Sequence, residues 1–281
     1  MIKIGKNNRL NVVRVLADTV CVGETSEDEP IPLSHIDSQQ TYQIGDELEV
    51  FVFNTREGGL QATLAQPLAQ VGEVAWLKVI SLSRAGAFLD WGLSKDLLLP
   101  FSEQTGKVTE GRYCLVKLFL DEENRVTASM ALDDFIQDEA FYLTEGQKVD
   151  LIIADETDLG LKAVINHEFW GVLYWNELFQ PLKKGQKVKG QVKKVRSDHK
   201  IDLILEQTHY NDRIEMTIEK ILQQLAEHQG YLPVGDKTSP DIIYKQFGVS
   251  KKIFKQALGG LYKQHKIVIG ANRIEWVETN E

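Results

Sequence analysis

The feature that most constrains this chain is a plan of short strands that recurs three times with nearly fixed punctuation. Residues 83–102 show its centre: apolar runs at 87–89 and 97–99, set among glycines, charges and Pro100. Val79-Ile80 precede them, and runs at 115–120 and 126–130 follow. Short strands about ten residues apart predict a small antiparallel barrel.

The same order appears upstream and downstream. Pro32-Leu33-Ser34, Pro100-Phe101-Ser102 and Tyr174-Trp175-Asn176 stand at one position of the plan. Gly45, Gly111 and Gly185 each open a strand, and the next strand begins 15, 15 and 16 residues on, at Leu60, Val126 and Ile201. Gly58-Gly59 marks a hairpin in the first unit. The acidic stretch 24–29 reads as a loop. Punctuation that recurs with the strands argues for a triplicated module, with expected domains at 1–66, 67–140 and 141–209. Residues 132–143 carry Leu132, Phe135, Ile136, Ala140 and Leu143 at helical spacing, which predicts a helical connector.

After 207 the apolar period changes from two to helical. Ile214, Ile218, Ile221, Leu222 and Leu225 predict a helix ending near Gly230. Ser239-Pro240 starts a second helix, and Ser250 caps a third with Phe254, Leu258, Leu261 and Tyr262 facing inward. Runs at 267–269 and 273–277 close a hairpin. This order predicts a winged helix-turn-helix over 210–281. The fold class is therefore mainly β and multidomain, with three tandem barrels followed by an α+β winged helix-turn-helix domain.

The net charge of −9 is unevenly spread. Residues 1–66 and 67–141 each carry −5, whereas 142–207 are neutral and 208–281 carry +1. Within 183–200 eight basic residues face one acidic residue, Asp198. The expectation is a local positive surface on an acidic protein. Cys21 and Cys114, far apart in predicted strands, read as buried thiols of a reducing compartment. The polar N-terminus and the absence of an apolar run of about 18 residues give a cytoplasmic expectation with no membrane partner.

Gly86-Ala87-Phe88, Pro100-Phe101-Ser102, and Asp121 four residues before Arg125 resemble the S1 RNA-binding domain, a five-stranded OB fold. The resemblance implies a nucleic-acid face with two aromatics three residues apart, a His two residues before a Ser, and an Asp–Arg pair. Aromatic faces stack on unpaired bases while cations follow the phosphates. The second unit keeps Phe88, Asp121 and Arg125, with Ala85 and Pro100 at the first aromatic and His positions. The first unit has Val20, Pro32, Thr55 and Gly59 at the corresponding places. The third carries Lys162, Tyr174, Arg196 and Lys200 there, with Trp170 and Trp175 beside them and Lys193 in the basic run. These residues, with Lys251, Lys252 and Lys255 on the third helix and Arg273 on the wing, are the candidate nucleic-acid contacts. The plainer alternatives are that Phe88 is barrel core, that Asp121–Arg125 is a solvated ion pair, and that the lysines guard an edge strand. At least one of Trp170 and Trp175 is expected inside.

Three S1-like barrels followed by a winged helix resemble the conserved virulence factor B family. Membership implies cytoplasmic RNA binding that influences gene expression, without a catalytic step; the basic run and its interleaved aromatics point to a single strand, and no cofactor or metal is expected. The winged helix adds DNA, or a protein surface, as a further candidate partner. The acidic N-terminal half suits a protein partner, so an interaction adaptor is the alternative. A ribonuclease would need clustered carboxylates or histidines, which the sequence does not offer.

Overall fold

Period-two runs close each of the three units into a five-stranded barrel in the computed structural model, which describes residues 1–16, 19–25, 29–34, 41–55, 58–178, 181–206 and 208–277, with backbone only for 208–213. Residues 26–28 of the acidic stretch lie outside the described residues. The first barrel comprises β1 (Lys6–Val15), β2 (Val20–Gly23), β3 (Ile31–Ser34), β4 (Glu47–Asn54) and β5 (Leu60–Thr63). The second comprises β6 (Val74–Leu82), β7 (Gly86–Asp90), β8 (Leu97–Pro100), β9 (Tyr113–Leu120) and β10 (Val126–Ser129). The third comprises β11 (Lys148–Glu156), β12 (Gly160–Ile165), β13 (Phe169–Tyr174), β14 (Lys187–Val195) and β15 (Ile201–Leu205). Each closes with the same strand order, first-second-third-fifth-fourth, and its third and fifth strands are parallel. That is the OB topology. Each first strand carries a register shift before its hairpin, at 12/14, 79/81 and 153/155, which bends it around the barrel.

Two strands are apolar on both faces, and these join the barrels. In β4, Val50 and Val52 fill the first barrel, whereas Phe51 and Phe53 point outward into the core of the second. The Phe51 ring meets Trp91 edge-on with centroids 5.5 Å apart. In β11, Leu151 and Ile153 fill the third barrel, while Ile152 and Ala154 join Val74, Leu115, Val164 and Trp170 in a seam with the second. His167 locks this seam: its Nδ1 accepts the Val74 N–H at 2.9 Å, and its carbonyl accepts the buried Lys117 ammonium at 2.7 Å.

The connector is not the helix its spacing predicts. Only a 3₁₀ turn forms, at Leu132–Asp134. Beyond it the chain runs along the third barrel, with hydrogen bonds from Gln137 N to Glu168 O and from Trp170 N to Gln137 O. Its apolar residues serve two cores rather than one helix face. Leu132 and Ile136 enter the seam, and Ala140 and Leu143 enter the third barrel.

The last domain follows its predicted order: α1 (Thr208–Glu227), β16 (Tyr231–Leu232), α2 (Pro240–Phe247), α3 (Lys251–Lys263), β17 (Ile267–Ile269) and β18 (Ile274–Trp276). Ser250 Oγ accepts the Ile253 N–H, and Gly248 ends α2 at φ +74°. Ser239 makes no such cap bond. Tyr262, expected inward, is 57% exposed, because Leu258 and Leu261 already fill that side of α3. Cys21 and Cys114 are buried and unbridged. No helix among the described residues is long and apolar enough to cross a membrane.

Candidate nucleic-acid interface

Two glycines set the candidate sites. A Cβ on Gly86 would lie 2.2 Å from the Leu99 carbonyl oxygen, and one on Gly160 would lie 2.1 Å from that of Leu173. Glycine lets the second and third strands of each barrel close here. The residue two positions on, Phe88 or Lys162, then faces the same outer surface. Phe88 is therefore not barrel core, since its neighbours Ala87 and Leu89 occupy that place.

The loop between the fourth and fifth strands repeats as faithfully. Asp121 N bonds Arg125 O, Arg196 N bonds Lys200 O, and Thr55 N bonds Gly59 O, at 3.0, 2.9 and 2.7 Å. In the second barrel the Asp121 carboxylate accepts the N–H groups of Glu123 and Arg125 and the Arg125 Nε at 2.9 Å. Burial alone would raise its pKa, but the Arg125 amide and guanidinium outweigh it and hold the carboxyl below the usual range. Arg125 also reaches Glu123 at 2.7 Å. The pair orders a loop beside the cleft rather than floating in solvent.

Phe88, Leu98, Asp121 and Arg125 line a cleft of about 590 Å³ in the second barrel. Most of the other lining residues escaped the sequence reading as site residues, and four of them show where the wall comes from. Phe53 and Asn54 come from the first barrel, and Trp91 and Lys95 from the second. Asn54 Nδ2 donates to the Asn124 carbonyl at 2.9 Å, so the barrel that lacks a binding set braces the loop of its neighbour. The Asn54→Ala variant is expected to keep its melting temperature within about 2 °C, since the bond is exposed. It should loosen the 121–125 loop, seen as faster amide exchange at Asn124.

In the third barrel Lys162, Arg196 and Lys200 converge on a cleft of about 370 Å³ with Leu159, Asp202 and Asp138. Lys162 lies 3.8 Å over the Trp170 ring and 2.9 Å from Asp133, so it stands where the cleft meets the seam. Tyr174 donates its hydroxyl to Asp202 at 3.1 Å. Burial and that carboxylate raise the phenol pKa, keeping it a donor. Trp170 is buried with its indole N–H unpartnered, and Trp175 is 45% exposed with its N–H on the Thr157 carbonyl.

The basic run is more neutralised than its sequence implies. Lys184 pairs with Asp155, Lys189 with Asp150, Lys193 with Glu177 at 2.7 Å, and Arg196 with Asp198 at 3.2 Å. Three of these carboxylates are distant in sequence. Lys200, at the cleft, has no carboxylate within 4.0 Å among the described residues. In the winged helix, Lys251 and Lys252 occupy the first turn of α3, and Lys255 opens the second. Lys255 pairs with Asp236 at 2.8 Å, and Arg273 with Glu275 at 3.5 Å. No group of three or more His, Cys, Asp or Glu among the described residues could hold a metal ion.

Comparison with known proteins agrees with this layout. Residues 4–65 and 71–131 match the family model described as S1 domain, and residues 219–275 match the one described as CvfB-like winged helix domain. The first barrel thus keeps the S1 fold without the S1 site residues. Conserved virulence factor B of Staphylococcus saprophyticus subsp. saprophyticus is 27% identical over 96% of this chain and 93% of its own. The protein of that name from Staphylococcus epidermidis is 28% identical over 96% and 94%. A crystal structure of a multidomain protein with nucleic acid binding domains from Streptococcus pneumoniae TIGR4 aligns over 98% of both chains, with 21% identity and a TM-score of 0.43. S1 and winged-helix domains are nucleic-acid-binding classes of module. With two S1 domains, a CvfB-like winged helix domain and 27–28% identity along nearly its whole length, the chain is similar in sequence and domain order to the conserved virulence factor B proteins.

Proposed function

We propose that the protein is a non-catalytic, single-stranded RNA-binding regulator of gene expression, acting in the cytoplasm and holding RNA across the clefts of its second and third barrels. The observation that carries this reading is the correspondence of the two sites. Phe88, Asp121 and Arg125 occupy on one barrel the positions that Lys162, Arg196 and Lys200 occupy on the next, each set lining an open cleft. The second cleft offers the aromatic face and the third the cations, which together are the components of a single-strand surface. Exposed ion pairs such as Arg196–Asp198 are worth little, so a phosphate can replace the carboxylate. The lysines on the first turn of α3 oppose that helix's dipole and extend the basic surface to a second nucleic-acid contact, with DNA as an alternative ligand there.

Titrating a labelled single-stranded RNA at several salt concentrations tests this reading. Each phosphate contact should contribute about 0.7 to the log–log slope. Lys200→Ala should lower that slope by about the same amount, whereas Lys189→Ala, which does not line this cleft and pairs with Asp150, should leave it unchanged. A flat salt response would remove RNA as the ligand, and tighter binding of the same DNA sequence would remove the preference. The charge of −5 on each of 1–66 and 67–141 favours a second reading, a basic protein partner on that half. Salt-sensitive capture of such a partner by full-length protein, competed by none of the RNA, would support it.

A further inference from the structure

The sequence-derived site ends at the loop bearing Arg196 and Lys200, but the third cleft does not. Asp138, on the connector, forms part of its wall. Two residues on, Ala140 N donates to the His199 carbonyl at 3.1 Å, which pins the connector to that loop. The next side chain, Phe141, is 70% exposed and lies against the exposed His199 ring, with centroids 4.5 Å apart. An apolar ring left that open contributes little to any core. Its partner sits at φ +59° in the tight turn between Arg196 and Lys200, so the two flat groups are presented together with the cations.

We propose that Phe141 and His199 form a stacking subsite for one nucleobase of a single-stranded nucleic acid, continuing the third cleft past Lys200. The inference rests on the reading that this cleft holds such a strand. It adds an exposed aromatic face to a cleft whose two aromatic positions hold Leu159 and Lys162 and whose Trp170 is buried beneath Lys162. Charge favours a nucleic acid as occupant, because Lys200 next to the ring pair carries an unneutralised ammonium among the described residues. The base would stack on the exposed Phe141 face while Lys200 meets the phosphate beside it. The connector between the barrels is then part of the binding surface rather than a spacer.

Anisotropy titrations of full-length protein with fluorescein-labelled oligouridylates of 4 and 12 nucleotides test this. Phe141→Ala should weaken the 12-mer roughly tenfold, in line with one lost base stack, and leave the 4-mer nearly unchanged. Phe141→Trp should bind as well as the original protein, and Phe141→Leu should be as weak as alanine. The melting temperature of each variant should match the parent, because the ring is exposed. If Phe141→Leu or Phe141→Ala binds the 12-mer with parental affinity while Lys200→Ala is weakened, the subsite is refuted and the cleft reading stands. If the parent binds neither oligonucleotide, both fall.

Discussion

Phe51→Ala is expected to destabilise the protein by about 3–5 kcal/mol and to split a joint unfolding of the first two barrels into separate steps. Phe51 is fully buried, yet it does not belong to the interior of its own barrel. It fills the outer surface of β4 and abuts Trp91, whose indole N–H is held by the Lys95 carbonyl. Truncation leaves a cavity between barrels that few polar contacts otherwise join. Among the described residues these include Asn7 N to Gln70 at 3.0 Å, Val71 N to Gly5 O at 2.9 Å, and Asn54 to the Glu123 and Asn124 carbonyls. Val50→Ala, one residue away, provides the comparison. Its side chain lies inside the first barrel, so it should lower the stability of that barrel without uncoupling it. Urea denaturation followed by tryptophan emission reads the second and third barrels and the winged helix but not the first barrel, which contains no tryptophan, so far-UV circular dichroism recorded alongside it shows whether the first barrel unfolds separately. If Phe51→Ala unfolds in one transition with the parental midpoint, the seam carries no such weight. The loss should also disturb the second cleft, since Trp91 and Phe53 line it.

The barrels were legible in the sequence because their punctuation is local. Gly86 and Gly160 mark close approaches of backbone, and the turns at 121–125 and 196–200 keep a fixed length. Those local signals also placed Phe88, Asp121, Arg125, Lys162, Arg196 and Lys200 at matching positions. What the sequence hid is non-local. The run 48–53 reads as a strand, but its excess of apolar residues signalled a second buried face, filled by another barrel. The periodicity of 132–143 was real, although two different cores rather than a helix produced it. The basic run looked unopposed because its carboxylate partners, Asp150, Asp155 and Glu177, come from other strands and turns. Phe141 gave no signal at all, as an isolated aromatic in a connector acquires meaning only when His199 is placed against it.

Replacing His167 by asparagine is expected to cost about 1–3 kcal/mol, the penalty for leaving a buried amide unpaired, and to make the second and third barrels separate more readily. Asn166 and His167 both have positive φ, +48° and +64°, as the hairpin between β12 and β13 requires. Asparagine tolerates that backbone, so the substitution tests the ring rather than the turn. The imidazole accepts the N–H of Val74, which it can do only while Nδ1 is unprotonated. Burial, chiefly, holds its pKa below the ordinary 6.5; Lys117 and Lys187 act in the same direction, against Glu73 and Asp150. The unfolded chain therefore binds this proton more readily than the folded one. The histidine's contribution is complete above about pH 6.5 and is lost as pH falls through the lower folded value. The difference in melting temperature between the parent and His167→Asn should be greatest above pH 7 and narrow steadily below pH 6. Subtracting one protein from the other removes the titration of every group they share. A gap that stays constant from pH 8 to pH 5 would show that the neutral ring is not what holds the seam. With the gap closing, mild acid should expose Trp170 to quenchers before either barrel unfolds, because that indole is buried in the same seam.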